Sequence, residues 1–130
     1  MRVIVAGSRH CKDYNLVERA IAESGFHVTE IVSGGAPGID SCGQSWAKDH
    51  QVTCVIFPAE WGEFGLKAGP IRNSQMSSYG EALVLIWDGF SPGSADMKKK
   101  VQARNLPIYE KIIPAFRPIK RKPPTVQNAK

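Results

Sequence analysis

The chain has 130 residues, enough for one domain around one core, and its 42% hydrophobic and 22% charged content excludes a disordered or fibrous class. No apolar run approaches the roughly 18 residues needed to span a bilayer, so no membrane partner is expected. A net charge of +5 invites a nucleic-acid reading, which depends on where the charge sits.

Val3-Ile4-Val5-Ala6 is a short apolar run ending at Gly7, too short for a secretory leader and expected as a buried strand. Asp13 predicts the N-cap of a helix through Ser24, with Leu16, Val17, Ala20 and Ile21 on one face and Gly25 as its stop. A second strand is expected over Val28 to Val32, followed by the loop Ser33-Gly34-Gly35-Ala36-Pro37-Gly38. Ile39, Cys42, Gly43, Trp46 and Ala47 recur at helical spacing to about His50. Val52 to Phe57 is a third strand, and a loop with Trp61 and Phe64 leads to a helix near Ala68 with Pro70 in its first turn. Ala82 to Trp87 is a fourth strand, Met97 and Val101 mark a further helix, and Pro107-Ile108-Tyr109 opens a fifth strand.

Strand runs without polar alternation, separated by helices, predict a parallel sheet covered on both faces. The expected fold is a single small α/β domain over 1–113, Rossmann-like and doubly wound, with a mainly parallel five-stranded sheet. Residues 114–130 are proline-rich and hold Arg117, Lys120, Arg121, Lys122 and Lys130 with no acid. Of seventeen basic residues these five leave twelve upstream, against twelve acidic ones, so the domain itself is formally neutral. The basic stretch reads as an extended solubilising or partner-docking tail. Cys11, Cys42 and Cys54 include no CxxC pair and suit free thiols in a reducing cytosol, so a cytoplasmic protein is expected.

In such a sheet, ligands bind beyond the carboxyl ends of the strands, near the topological switch point. The unusual residues fall there: Gly7-Ser8-Arg9, then Gly34-Gly35-Ala36 with Gly38 and Asp40, then Asp88-Gly89-Phe90-Ser91-Pro92-Gly93-Ser94. Glycine lets backbone amides face inward, and helix N-termini add unpaired donors, so the three loops predict a phosphate or carboxylate cradle. There is no GxxxxGK[ST] for a phosphate-binding P-loop, and the first strand lacks the GxGxxG of dinucleotide enzymes.

Gly7-Ser8-Arg9, Ser33-Gly34-Gly35-Ala36-x-Gly38-Ile39-Asp40, Pro58-Ala59-x-Trp61, Ala68-Gly69-Pro70-x-Arg72-Asn73-x-x-Met76 and Trp87-Asp88-Gly89-x-Ser91-x-Gly93 resemble the YspA-like branch of the SLOG superfamily. That Rossmann-like group links DNA-processing protein A to the LOG phosphoribohydrolases. The resemblance covers roughly residues 1–110 and implies a nucleotide or nucleotide-derived ligand and a homo-oligomer, dimer or tetramer. Gly38-Ile39-Asp40 resembles a signature of the DNA-processing protein. Arg72-Asn73-Ser74-Gln75-Met76 resembles a LOG helix whose arginine is catalytic or substrate-binding. Where LOG enzymes carry a glutamate after their glycine loop this chain has Met97, and Asp96 falls one residue early, about 100° around a helix, so it is expected to point elsewhere.

For Arg72 the readings are a bidentate phosphate fork, a surface arginine, or a pair with Glu60 or Asp40; Arg9 divides between a ligand contact and a surface cation. Asp40 is either stabilised by its helix dipole without any function, or it accepts a ribose hydroxyl or holds the glycine loop in shape. Ser8, Ser91 and Ser94 are candidate phosphate donors, with Ser94 equally a helix N-cap, and Asn73 joins Arg72 in the candidate ligand set. Trp61 is a candidate base-stacking ring, whereas Trp46 and Trp87 suit packing. Arg72, Glu60 and Asp96 are the candidate catalytic groups, Glu60 being equally an exposed loop acid. His10, His27 and His50 do not combine with the cysteines at metal-ligand spacing, so neither metal nor bound cofactor is expected. The leading expectation is a sensor or sequestering protein for a phosphate-bearing, nucleotide-derived ligand such as an ADP-ribose-like or cyclic signal. A nucleotide N-glycosidase or phosphohydrolase is the alternative. Single-stranded DNA binding ranks third because the core is neutral.

Overall fold

A computed structural model describes residues 1–114, so the basic tail expected over 114–130 lies almost wholly outside the described residues. The elements in chain order are β1 (Arg2–Gly7), α1 (Tyr14–Ser24), β2 (Glu30–Ser33), α2 (Ile39–Asp49), β3 (Thr53–Ile56), α3 (Trp61–Phe64), a 3-10 turn (Gly65–Lys67), α4 (Ala68–Tyr79), β4 (Ala82–Trp87), α5 (Pro92–Ala103) and β5 (Ile108–Ile112). All five strands pair in parallel in the order β3-β2-β1-β4-β5. The chain therefore leaves β3 at one side and re-enters at β4 on the far side of β1. That reversal puts the switch point between the carboxyl ends of β1 and β4.

Side-chain alternation divides the core into two layers. Ala82, Val84 and Ile86 of β4 face Val17, Ala20 and Ile21 of α1 and Ile39, Cys42, Trp46 and Ala47 of α2. Leu83, Leu85 and Trp87 face Met76 of α4 and Met97 and Val101 of α5. Every residue of β4 is buried, which is why its sequence shows no polar alternation. Fully burying each of its large aliphatic side chains contributes on the order of 1.5–3 kcal/mol. At the switch point the backbones of β1 and β4 crowd together: a Cβ on Gly7 would stand 1.8 Å from the Ile86 carbonyl oxygen.

Asp13 caps α1 by accepting from the Leu16 amide at 3.1 Å, and Gly25 ends it at φ 72°. Two local expectations are corrected. The second strand begins at Glu30 rather than Val28, because the Thr29 and Glu30 amides both turn onto the Met1 carbonyl. The stretch expected as a loop around Trp61 and Phe64 is helical, its Glu63 and Phe64 amides donating to the Glu60 carbonyl.

Candidate functional site

A cavity of about 930 Å³ opens over the carboxyl ends of the strands, near the upper limit for small-molecule sites. Ser8, Gly35 and Gly93, from three turns far apart in the chain, all line it. So do Gly7 and Arg9, Gly34, Ala36 and Asp40, Trp61, Arg72 and Asn73, and Ser91 and Ser94. Gly38 does not. It adopts φ 83°, and a Cβ there would lie 2.3 Å from the Ser8 carbonyl oxygen, so it packs one glycine loop on another rather than facing the cavity.

The β2–α2 turn is closed upon itself. Buried Ser33 donates its hydroxyl to the Asp40 carbonyl at 3.3 Å and accepts from the Gly35 amide at 3.1 Å. The Ala36 amide donates to Asp40 Oδ2 at 3.3 Å. Asp40 is only 6% exposed, and burial pushes its carboxyl up to about 6 against hydrogen bonding from the Ala36 amide, the Arg72 charge and the amides of Gly34 and Gly7. The cradle expected here for an outside anion thus surrounds the protein's own carboxylate. Of the readings of Asp40, holding the loop is the one its contacts support.

Arg72 belongs to the same assembly. Its Nη1 donates to the Gly34 carbonyl at 2.6 Å and to the Phe57 carbonyl at 3.4 Å, while Nε donates to Asn73 Oδ1 at 3.0 Å. Burial lowers its pKa, Asp40 raises it and Arg9 lowers it again, and an arginine remains cationic under such shifts. A Cβ on Gly34 would meet Arg72 Nη1 at 2.5 Å and Asp40 Oδ2 at 2.8 Å, so only glycine leaves room for both side chains at this turn. The free bidentate fork, one of the readings of Arg72, is therefore corrected: the guanidinium is a clamp through Nη1 and Nε, and its Nη2 has no partner among the described residues. Arg9 differs, being exposed and without a hydrogen bond or ion pair among the described residues.

Asn73, 6% exposed, continues the chain of bonds by donating to the Gly93 carbonyl at 3.2 Å and to Asp96 Oδ2 at 3.0 Å. Asp96, expected to point elsewhere, lines the cavity, and Lys100 holds its Oδ1 at 2.5 Å. Glu60 is exposed and outside the lining.

The start of α5 is the opposite of the β2–α2 turn. Its N-cap is Ser91 rather than Ser94, and no side chain caps the helix. Asp88 Oδ1 accepts from the Phe90 amide at 2.8 Å, the Ser91 amide at 2.9 Å and the Ser91 hydroxyl at 3.0 Å, so Ser91 is engaged rather than free for phosphate. Pro92 has no amide hydrogen, and the Ala95 amide bonds the Ser91 carbonyl at 3.0 Å. The Gly93 and Ser94 amides have no partner among the described residues. The Ser94 side chain, 8% exposed and lining the cavity, likewise has none. A buried hydroxyl without a partner is uncommon, because it forgoes hydrogen bonds worth about 1–3 kcal/mol.

The facing wall is apolar: Ile56, Pro58, Ala59, Trp61, Leu66, Gly69 and Pro70. Trp61 is 53% exposed and Leu66 91%. Trp87 and Trp46 are core, at 5% and 9% exposure. The sequence reasoning missed Ser33 and Asp88 as organisers of their turns. A hydroxyl before paired glycines and an acid before a glycine are the turn signals that mark them.

Parallel strands in this order, with polar turns gathered over the β1–β4 crevice, define a Rossmann-like α/β protein. The profile of the YspA, cpYpsA-related SLOG family matches residues 1–64. The chain is also 32% identical over 117 residues to the Gene 61 protein of Mycobacterium phage D29, covering 82% of this chain and 93% of that one. It belongs to the YspA-related SLOG family. Its fold is similar to that of DNA processing protein A (DprA) from Streptococcus pneumoniae, with a TM-score of 0.68 and 18% identity over 84% of this chain. The chain spans about half of that protein, 49% of its length. Among the described residues no helix is long and apolar enough to cross a membrane.

Proposed function

We propose that the protein binds a nucleotide or nucleotide-derived ligand, as a sensor or sequestering protein, with a phosphate at the start of α5 and a planar ring against the apolar wall. The observation that carries this is the pair of open amides at Gly93 and Ser94 beside the buried, unpartnered Ser94 hydroxyl. Helix N-termini favour anions through these donors and the helix dipole. The exposed Trp61 ring supplies a stacking surface in the apolar wall, and Arg9 adds an exposed cation to the lining. Family membership supports a nucleotide-related role.

Holding the ligand is favoured over cleaving it. The three carboxylates of the lining are engaged: Asp40 with amides, Asp88 with its own turn, Asp96 with Asn73 and Lys100. General acid–base catalysis needs a carboxyl free to exchange a proton with the ligand, and each of these is committed to donors of the protein. In the test, a panel of 5′-mono- and diphosphates, cyclic nucleotides and ADP-ribose is added to the full chain and its melting temperature followed. A binder at a hundredfold excess over its Kd adds about 2.7 kcal/mol of stability, and Arg9→Ala should reduce that gain. A panel that leaves the melting temperature unmoved sinks the reading.

Single-stranded DNA binding is the second reading, favoured by the fold shared with DprA and by Phe90, 83% exposed beside the α5 turn. Titration of a labelled oligonucleotide at several salt concentrations separates the two, since strand binding weakens steeply with salt.

A further inference from the structure

Resting on the reading of the site as a phosphate-bearing ligand's, we infer that Asp40 is a specificity-determining residue that restricts the ligand to a single phosphate group. Two turns on this edge are built for an anion, and only one is open. At the β2–α2 turn the Ala36 amide is bonded to Asp40 Oδ2 at 3.3 Å, the Gly35 amide to Ser33 Oγ at 3.1 Å, and the Gly34 and Gly7 amides act on the same Asp40 carboxylate. Arg72, the cation nearest this turn, is fixed on the Gly34 carbonyl at 2.6 Å. A second phosphate arriving here meets a buried negative charge where donors would be required, a juxtaposition that strongly disfavours binding.

The charges of the lining agree. Arg9 and Arg72 stand against Asp40, Asp88 and Asp96, and Lys100 offsets the last of these. One phosphate on the Gly93 and Ser94 amides adds a charge that helix end can stabilise, whereas a diphosphate brings more negative charge into a pocket whose cations are already balanced. Asp40 does at the glycine turn what a ligand phosphate would otherwise do, and it is tethered there by the chain.

Calorimetric titration of AMP and ADP into the full chain, at about pH 7.5 with chelator present, tests this because the two differ by one phosphate. Wild type is expected to bind AMP at least about tenfold more tightly than ADP, and ADP-ribose as weakly as ADP. Asp40→Asn keeps an acceptor for the Ala36 amide and removes the charge, so it should narrow the gap to about threefold or less by improving the diphosphates. Equal wild-type affinities for AMP and ADP overturn the inference without any variant, and so does an unchanged gap in a folded Asp40→Asn protein. If AMP, ADP and ADP-ribose all fail to bind, the inference falls, while the functional reading falls only if the cyclic nucleotides and the rest of the panel fail as well.

Discussion

The turns after β2 and β4 look alike as strings of glycine, proline and hydroxyl residues, yet they end in opposite states. After β2, an acid at the second residue of the helix folds back and collects the amides. After β4, the acid stands at the start of the turn, is used up on the Phe90 and Ser91 amides, and leaves the helix end open. A glycine-rich turn therefore does not by itself announce a ligand. What decides is whether a carboxylate of the chain can reach the amides first, and its position within the turn controls that reach.

The contrast is broken most forcefully at the glycines. Gly38→Ala forces a left-handed φ of 83° on a side chain whose Cβ would lie 2.3 Å from the Ser8 carbonyl oxygen. It should destabilise the fold by about 3 kcal/mol or more in denaturant unfolding. Gly93→Ala meets nothing within 4 Å and should change stability by no more than about 1 kcal/mol. Similar losses at both positions would mean that the two turns are equally closed.

Next in size is the buried acid. Because its folded pKa is raised to about 6 from 3.8, Asp40's contribution to stability is fully present below the unfolded value and is lost as pH rises through the folded one. Asn cannot ionise. Between about pH 4 and pH 7, Asp40→Asn should gain on wild type by up to about 3 kcal/mol, read from unfolding curves across that range. A stability difference that stays flat with pH would show that Asp40 is not held as described.

The smallest effects lie at the open turn. Trp61→Ala is expected to weaken nucleotide binding by about 1–3 kcal/mol. Ser94→Ala should weaken it by about 1 kcal/mol, with thermal stability within about 0.5 kcal/mol of wild type. If the Ser94 change instead lowers stability and leaves ligand affinity intact, its hydroxyl has an internal partner and the open-end description is wrong.

Much of the architecture was legible because periodicity and punctuation speak directly to local physics. Ala82 to Trp87 is an unbroken apolar run because both faces of β4 are covered, and Asp13 and Gly25 bracket α1 as caps do. The location of the polar turns was legible too, since every parallel strand delivers its carboxyl end to the same edge. The partners of individual donors were not. Arg72 was readable as a cation near a helix start, but its bonds to the Gly34 and Phe57 carbonyls join residues 38 and 15 positions away. Asp96 was assigned to the wrong side by helical angle alone, because Asn73 of another helix sets where its carboxylate settles.

By itself, then, the amino-acid order determined the strands, the helices, their parallel stacking and the edge on which glycine and hydroxyl residues collect. These follow from hydrophobic spacing and backbone preferences that act over a few residues. Only the tertiary structure decided which of the two anion-ready turns is filled and which is open. That outcome turns on hydrogen-bond directions and charges a few ångströms apart in space but far apart in the chain, and no local pattern encodes them.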